Sequence, residues 1–326
     1  MKDIANRLNI SVTTVSKVIN NHPDISEKTR IDVMKTIEEM GYVPNIMAAN
    51  LRRNKGNMVG LVLSDISKPY FSRVIHGYES TLNAAGYHTL IFNSMEQADR
   101  EIQLLKQISS INLAGIIIDP AQNSRSQSIL KQIGIPYVFS NRFFNADTDY
   151  YVAADNKKVG YIATMHLISR KPGYPIICIN GPDAISPTIL RYAGFKKAII
   201  ESGIFLDEQY IYHDHYDFQD AYRTGKKIAT RLSPPFSVFC STDLIAIGVL
   251  RALYDCGIKV PEDVGVIGVD DIEMASYLTP ALSTVSLPKE LIGEMSAKIL
   301  ISKMIGQPIN VPRCLLEPKL VIRETT

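Results

Sequence analysis

No run of apolar residues in this 326-residue chain approaches the ~20 that a membrane-crossing helix needs, so no span is expected. The opening stretch MKDIANRLNI has neither an apolar segment nor a small-residue cleavage site, so no secretory signal is expected. Cysteine is sparse. Cys178, Cys240, Cys256 and Cys314 are scattered and none forms a Cys-x-x-Cys pair, which argues against a disulfide framework or zinc site and for reduced thiols in a cytoplasmic protein. Charge of one sign is also lacking: the formal net charge is only +2. The chain has no Gly-x-Gly-x-x-Gly, P-loop or Gly-x-Ser-x-Gly elbow, and GVIGVDD has its two glycines at the wrong spacing for a dinucleotide turn. Neither an enzyme nor a cofactor is expected.

What is present is a globular composition, 46% hydrophobic and 21% charged, over a length that suits two or three domains. Its charge is unevenly placed. Residues 1–57 carry nine Lys/Arg and six Asp/Glu, a net of +3, while the remainder carry 26 and 27, a net of −1. A small basic unit on a nearly neutral body permits a polyanionic partner for that unit.

The first segment reads as three helices. The spacing predicts one over 3–8, a tight turn at NIS with Ser11 as cap, a second over 12–20 with Val12, Val15, Val18 and Ile19 on one stripe, and a third over 27–40 capped by Ser26 and ended by Gly41. Two short helices joined by a tight turn form the helix-turn-helix pattern. The stretch SVTTVSKVIN combines its apolar stripe with four hydroxyls and a lysine, which suits a helix pressed against a polar, crowded surface; a helical hairpin with polar surface hydroxyls is the plainer alternative. Residues 43–57 form a linker whose IMAANLRR is helical in propensity but too short to stand alone. From Met58 onward, short β-branched runs (MVGLVLSD, HTLIFNS, AGIIIDP, PYVFSN, PIICING, SVFCSTD, GVIGVDD) alternate with helical segments. Buried runs alternating with helices mean parallel sheets, and the length fits two doubly wound α/β lobes with a ligand cleft at the carboxyl ends of their strands.

The segment DIANRLNISVTTVSKVINNHPDISEKTRIDVMKTIEEMGYVPNIMAANLR closely resembles the DNA-binding segment of the lactose/galactose repressor (LacI/GalR) family of bacterial regulators. The likeness continues through PYF, RYAGFKKAI, STDLIAIGVLRAL, KVPEDVGVIGVDDIEMASYLTPALSTV and PKLVIRET. It implies a small all-α helix-turn-helix domain (1–43), a hinge (44–57) and a two-lobed body like the periplasmic sugar-binding proteins (58–326). The first lobe would span about 58–157 plus 286–316, the second about 158–285 plus 317–326.

The resemblance also implies roles. Val12, Thr13 and Lys17 match base readers, with Ser11, Thr14, Ser16 and Asn20 serving phosphates. Many relatives carry Arg where this chain has Lys17, so the forked reading of guanine is lost. Leu51 matches a minor-groove wedge on a hinge helix that pairs between two subunits, with Asn45, Asn50, Arg52, Arg53 and Lys55 beside it; a solvated basic linker is the plain alternative. This requires a dimer and a nearly palindromic operator. In the cleft, Tyr70, Phe71 and Phe218 match aromatic positions, and Arg191 and Asp270 match ligand-gripping charges. Asp119 and Asn141 end neighbouring strands and are expected to face the same cleft. Lobe core is the alternative for the aromatics, and a structural ion pair for Arg191 and Asp270. Thr242 and Leu287 depart from relatives' amide or acidic residues, removing hydrogen-bonding capacity from the expected pocket.

The function so implied is a cytoplasmic, operator-binding repressor, nucleoid-associated when bound, controlled by a small effector, most simply a sugar. A nucleobase corepressor or a phosphoprotein coregulator is the alternative; a solute-binding protein and an α/β enzyme are remoter ones. EPKLVIRETT ends without an apolar heptad, which favours a homodimer over a coiled-coil tetramer. One metal arrangement needs checking: in HDHYD, His213 and His215 alternate and would share a face if both lay on a strand, although polar strand ends are commoner than metal sites.

Overall fold

A computed structural model describes residues 1–19, 22–42, 56–121 and 125–326. The chain divides into two compact units, Met1–Gly56 and Asn57–Thr326. In the first, helices α1 (Lys2–Arg7), α2 (Val12–Ile19) and α3 (Glu27–Glu39) enclose Ile4, Ala5, Val15, Val18 and Val33. The caps are local. Ser11 Oγ accepts from the Thr14 amide at 3.0 Å, and Ser26 Oγ accepts from the Thr29 amide at 3.3 Å, so each helix start has one of its orphan donors satisfied. Gly41, at φ +57°, turns the chain out of α3 as expected. Helix ends fall within a residue of the periodicity.

The second unit contains two six-stranded sheets. The first takes β1 (Met58–Leu63), β2 (His88–Asn93), β3 (Gly115–Ile118), β4 (Tyr137–Ser140), β5 (Tyr151–Ala154) and the late strand β11 (Arg313–Leu316), in the order β11-β5-β4-β3-β1-β2, all parallel. The second takes β6 (Ile176–Asn180), β7 (Ile211–His213), β8 (Phe236–Cys240), β9 (Val264–Asp270), β10 (Ser283–Ser286) and β12 (Lys319–Val321), in the order β12-β10-β9-β8-β6-β7. Among the described residues only the β10–β12 pair is antiparallel. The central strands β3, β5, β6, β8 and β9 are buried along their whole length, which is why they read as continuous apolar runs rather than alternating ones.

The chain passes from the first sheet to the second after β5, returns through the helix Lys289–Ile305 to lay down β11, and crosses back to β12. That helix is tied to the first lobe by Ser296 Oγ, 3.1 Å from Ser140 Oγ, and by Lys303 Nζ, which donates to the Tyr137 carbonyl at 2.8 Å. The two sheets turn the carboxyl ends of their strands to a common cleft, where the residues following β1, β4, β8 and β9 meet. No helix among the described residues is long and apolar enough to cross a membrane.

Candidate functional site

In the N-terminal unit, burial of Val15 and Val18 turns the opposite side of α2 outward. Ser11, Val12 and Thr13 are exposed, while Thr14, Ser16 and Lys17 are half-buried. Val12 is an uncapped apolar side chain at the start of a helix, 37% exposed, where a methyl-bearing base edge would suit it. Lys17 is already engaged: its ammonium lies 2.6 Å from Asp24 Oδ2 and holds that carboxyl below its ordinary range, with His22 adding a second contact. Asn20, Asn45, Asn50, Leu51 and Arg52 lie outside the described residues.

In the body, a cavity of about 50 Å³ sits between the lobes. From the first lobe it is lined by Lys68, Tyr70, Phe71, Asn141 and Arg142; from the second by Arg191, Tyr216, Thr242 and Asp270, with Ile185, Pro187, Leu244 and Ile272. Tyr70 and Phe71 open the helix Tyr70–Ala84 that follows β1, and their rings meet edge to face at 5.3 Å. Among the described residues the buried Tyr70 hydroxyl has no hydrogen-bond partner, and burial, together with the nearby Tyr78 and the carboxyls of Asp119 and Asp270, pushes the phenol well above its ordinary value.

Arg191 lies on the helix Ser186–Glu201, which approaches the helix Asn156–Arg170 so closely that a Cβ on Gly160 would meet the Arg191 carbonyl. That packing fixes the guanidinium. Nε donates to Asn156 Oδ1 at 2.9 Å, Nη1 donates to the Ser241 carbonyl, and Nη2 remains 3.7 Å from Asp270 Oδ1. Asp270, the last residue of β9, is held at φ +114°, a conformation that costs about 1–3 kcal/mol and marks ligand clamps more often than plain core. Burial raises its carboxyl above the ordinary range against the opposing charges of Arg191, Lys289 and Lys68. Thr242 caps the helix Asp243–Asp255, its oxygen accepting from the Ile245 amide at 3.3 Å, which leaves the hydroxyl proton for the cavity.

The structure departs from expectation at three residues, Asp119, Phe218 and Leu287. Asp119 does not line the cavity: it is wholly buried behind the wall, accepting from Ser64 and from Asn141 Nδ2 at 3.2 Å, with Arg142 Nε 3.5 Å away. Its position at the end of β3 is as expected, but Arg142 covers it. Phe218 does not line the cavity either. Asp217 caps the helix Phe218–Arg231, and Phe218, its first residue, turns to a groove with Ile247, Leu250 and Tyr254, while Tyr216 enters the cavity. Leu287 is buried in the core rather than facing the cavity. His213 ends β7, 2.6 Å from Asp183, whereas His215 lies beyond the strand, 3.1 Å from Asp220, so the two share no strand face. Asp214, His215 and Asp220 do bring one ligand atom each within 4.8 Å, a cluster explained by hydrogen bonds to His215.

Sequence reasoning missed the charged wall of the first lobe. Glu96 takes both Nη atoms of the buried Arg142 at 2.8 Å and Lys68 Nζ at 2.6 Å. Burial alone would raise the Glu96 carboxyl, but the Arg142 hydrogen bonds, with the Arg142 and Lys68 charges, bring it down to about 2. Asp243 was missed too. It accepts from Thr284 Oγ1 at 2.6 Å and from the Ile272 amide at 2.9 Å, and so holds the turn after Asp270; burial and the Asp270 charge push it up to about 8. No local period in the sequence signals either group.

A helix-turn-helix unit followed by a two-lobed α/β body with a polar cleft defines a ligand-responsive DNA-binding protein. Residues 158–326 match the periplasmic binding protein-like domain, and residues 1–45 match the bacterial regulatory proteins of the lacI family. The HTH-type transcriptional repressor CytR of Escherichia coli (strain K12) is 31% identical over 328 residues, covering 100% of this chain and 96% of that protein. The ribose operon repressor of Haemophilus influenzae is 30% identical, covering 100% and 98%. A solved transcriptional regulator, the CelR–cellobiose complex, superposes with a TM-score of 0.77 at 26% identity over 99% of this chain and 98% of that one. The chain belongs to the LacI family and is a transcriptional repressor of that family, not an enzyme.

Proposed function

We propose that this repressor's hold on a near-palindromic operator is set by a sugar taken up in the cavity between the lobes. The observation that carries the reading is a buried guanidinium and a buried carboxylate, Arg191 and Asp270, facing the Tyr70–Phe71 pair. A polyol needs acceptors for its hydroxyl protons, donors for its oxygens and a flat apolar surface for its C–H face. Asp270 supplies the first, Arg191 Nη2 with Thr242 and Tyr70 the second, and the rings the third. Asn141 adds a donor at the rim of the first lobe. The names of two similar proteins, a ribose operon repressor and a cellobiose complex, support a sugar over other small molecules.

On the DNA side, Val12, Thr13 and Lys17 read base edges, and Ser11, Thr14, Ser16 and Asn20 take phosphates. Asn45, Asn50, Leu51 and Arg52 serve the minor groove from the hinge of a homodimer. The chain then divides by role into 1–43 for DNA, 44–57 for coupling and 58–326 for the effector. The test is a thermal-shift panel on the full chain with ribose, xylulose, cellobiose, adenine and hypoxanthine, since a ligand of the folded state raises the midpoint by mass action. The expected result is a rise with a sugar that Asp270→Asn removes. A rise with the bases alone replaces the sugar with a nucleobase, and no rise with any of the five refutes the reading.

A further inference from the structure

We infer that Tyr216, with Lys68 facing it from the other lobe, is the aromatic wall of the effector site and sets the size of what enters. The inference rests on the reading of the cleft as the effector site. Two contacts within its own lobe seat the Tyr216 ring, and a third group covers its face. The ring lies on the backbone of Gly181, just past the end of β6, where an added Cβ would come within 2.2 Å of Cε1. Its hydroxyl is 2.6 Å from Thr188 Oγ1, on the same helix as Arg191 and one turn before it, so ring and guanidinium are held in one frame. From the first lobe, Lys68 Nζ stands over the ring, 5.2 Å from its centroid, anchored by Glu96 at 2.6 Å.

Size gives this pair its role. The space between the lobes is narrow, about 50 Å³, and Lys68 stands across it from Tyr216. Arg191, Phe71 and Tyr70 are held in buried packing, so the wall group able to adjust the room is one on a flexible stem. Lys68, on a four-carbon stem before the helix, is that group. When its ammonium leaves the ring face, the sugar's C–H face takes its place on Tyr216, and the ammonium stays within reach of the ligand's oxygens and of Glu96. Phe218, turned into another groove, takes no part.

The test uses the full chain in two stages. Without ligand, thermal midpoints of wild type, Lys68→Met, Tyr216→Leu and the double variant form a cycle. The expected result is a double variant less destabilised than the two singles added together; strict additivity overturns the cross-cleft contact. With ribose, xylulose or cellobiose in titration calorimetry, Tyr216→Leu and Gly181→Ala are expected to weaken binding tenfold or more, and Phe218→Leu to stay within twofold. Gly181→Ala keeps every atom of Tyr216 and only displaces the ring, so it separates lost chemistry from lost position. Full binding in both Tyr216→Leu and Gly181→Ala, or loss in Phe218→Leu alone, overturns the assignment. If wild type binds none of the three sugars, the sugar reading fails, and the pair is judged by the cycle and by the same variants titrated with adenine and hypoxanthine.

Discussion

Replacing Arg191 by Lys keeps the charge and removes the fork. The guanidinium makes two buried hydrogen bonds, to Asn156 Oδ1 and the Ser241 carbonyl, and leaves its third nitrogen near Asp270. An ammonium on a flexible stem can satisfy one of these positions but not all three. Each buried acceptor left without a donor costs about 1–3 kcal/mol, so an ammonium turned to Asp270, which leaves both, predicts a total of about 2–6 kcal/mol. At about 2 °C per kcal/mol for a body of this length, the midpoint falls by roughly 4–12 °C. Calorimetric melting of the full chain reads this without any ligand. Arg191→Met should fall at least as far, because it also leaves the Asp270 carboxylate with Lys289 and Lys68 as its nearest compensation. A midpoint within about 2 °C of wild type for Arg191→Lys would show that the fork is not fixed as described, and would remove the reason for assigning Arg191 to ligand oxygens.

Three further outcomes follow from the same contacts. Val15→Ala opens a void among Ile4, Ala5, Val18 and Val33 and should cost about 1–3 kcal/mol, a large share for so small a unit, read as faster proteolysis of the N-terminal segment in the full chain; unchanged proteolysis counts against that core. Asp24→Asn frees the Lys17 ammonium, so DNA binding should tighten and its salt dependence steepen by about one ion; an unchanged salt slope would mean that Lys17 does not meet phosphate or base. Burial pushes Glu101 up to about 7, above its unfolded value, against hydrogen bonds from Ser126 and the Ala121 amide. The folded state therefore binds the extra proton, so the contribution is fully present below the unfolded value and is lost as pH rises through 7. Its size is on the order of 3 kcal/mol. Glu101→Gln should flatten the fall in midpoint between pH 5 and 8, and parallel curves for the two proteins would refute this. Asp243 has the same sign, whereas Glu96, held down at about 2, stabilises at higher pH and loses that contribution only in acid.

Much of the fold was legible because each element carries its own local signal. Ser11 and Ser26 stand one residue before their helices, Val15 and Val18 keep the helical stripe, and the apolar runs that fill β3 and all but the last residue of β6 and β9 announce strands covered on both faces. Tyr70, Phe71, Thr242 and Asp270 reach the cavity because strand ends and helix starts gather there in any doubly wound sheet, and Arg191 reaches it from the second turn of its helix. The failures have a different origin. Tyr216 lies in the loop after the three-residue strand β7 and Phe218, two residues on, opens the next helix, and the Asp217 cap between them decides which faces inward. Asp119 ends its strand as expected, but Arg142, brought in from the loop after β4, covers it. The Lys68–Glu96–Arg142 cluster joins loops 28 and 46 residues apart, and only tertiary packing brings them together.

The most direct test of the central claim is operator binding with and without the sugar. An operator duplex selected by the purified chain from a random library would be titrated by fluorescence anisotropy, in buffer and in saturating ribose, xylulose or cellobiose. The account predicts a nearly palindromic selected sequence and at least a tenfold change in affinity with one sugar, with both affinities equal in Asp270→Asn. The same operator affinity in every saturating sugar, for a wild-type protein that binds one of them, would contradict it.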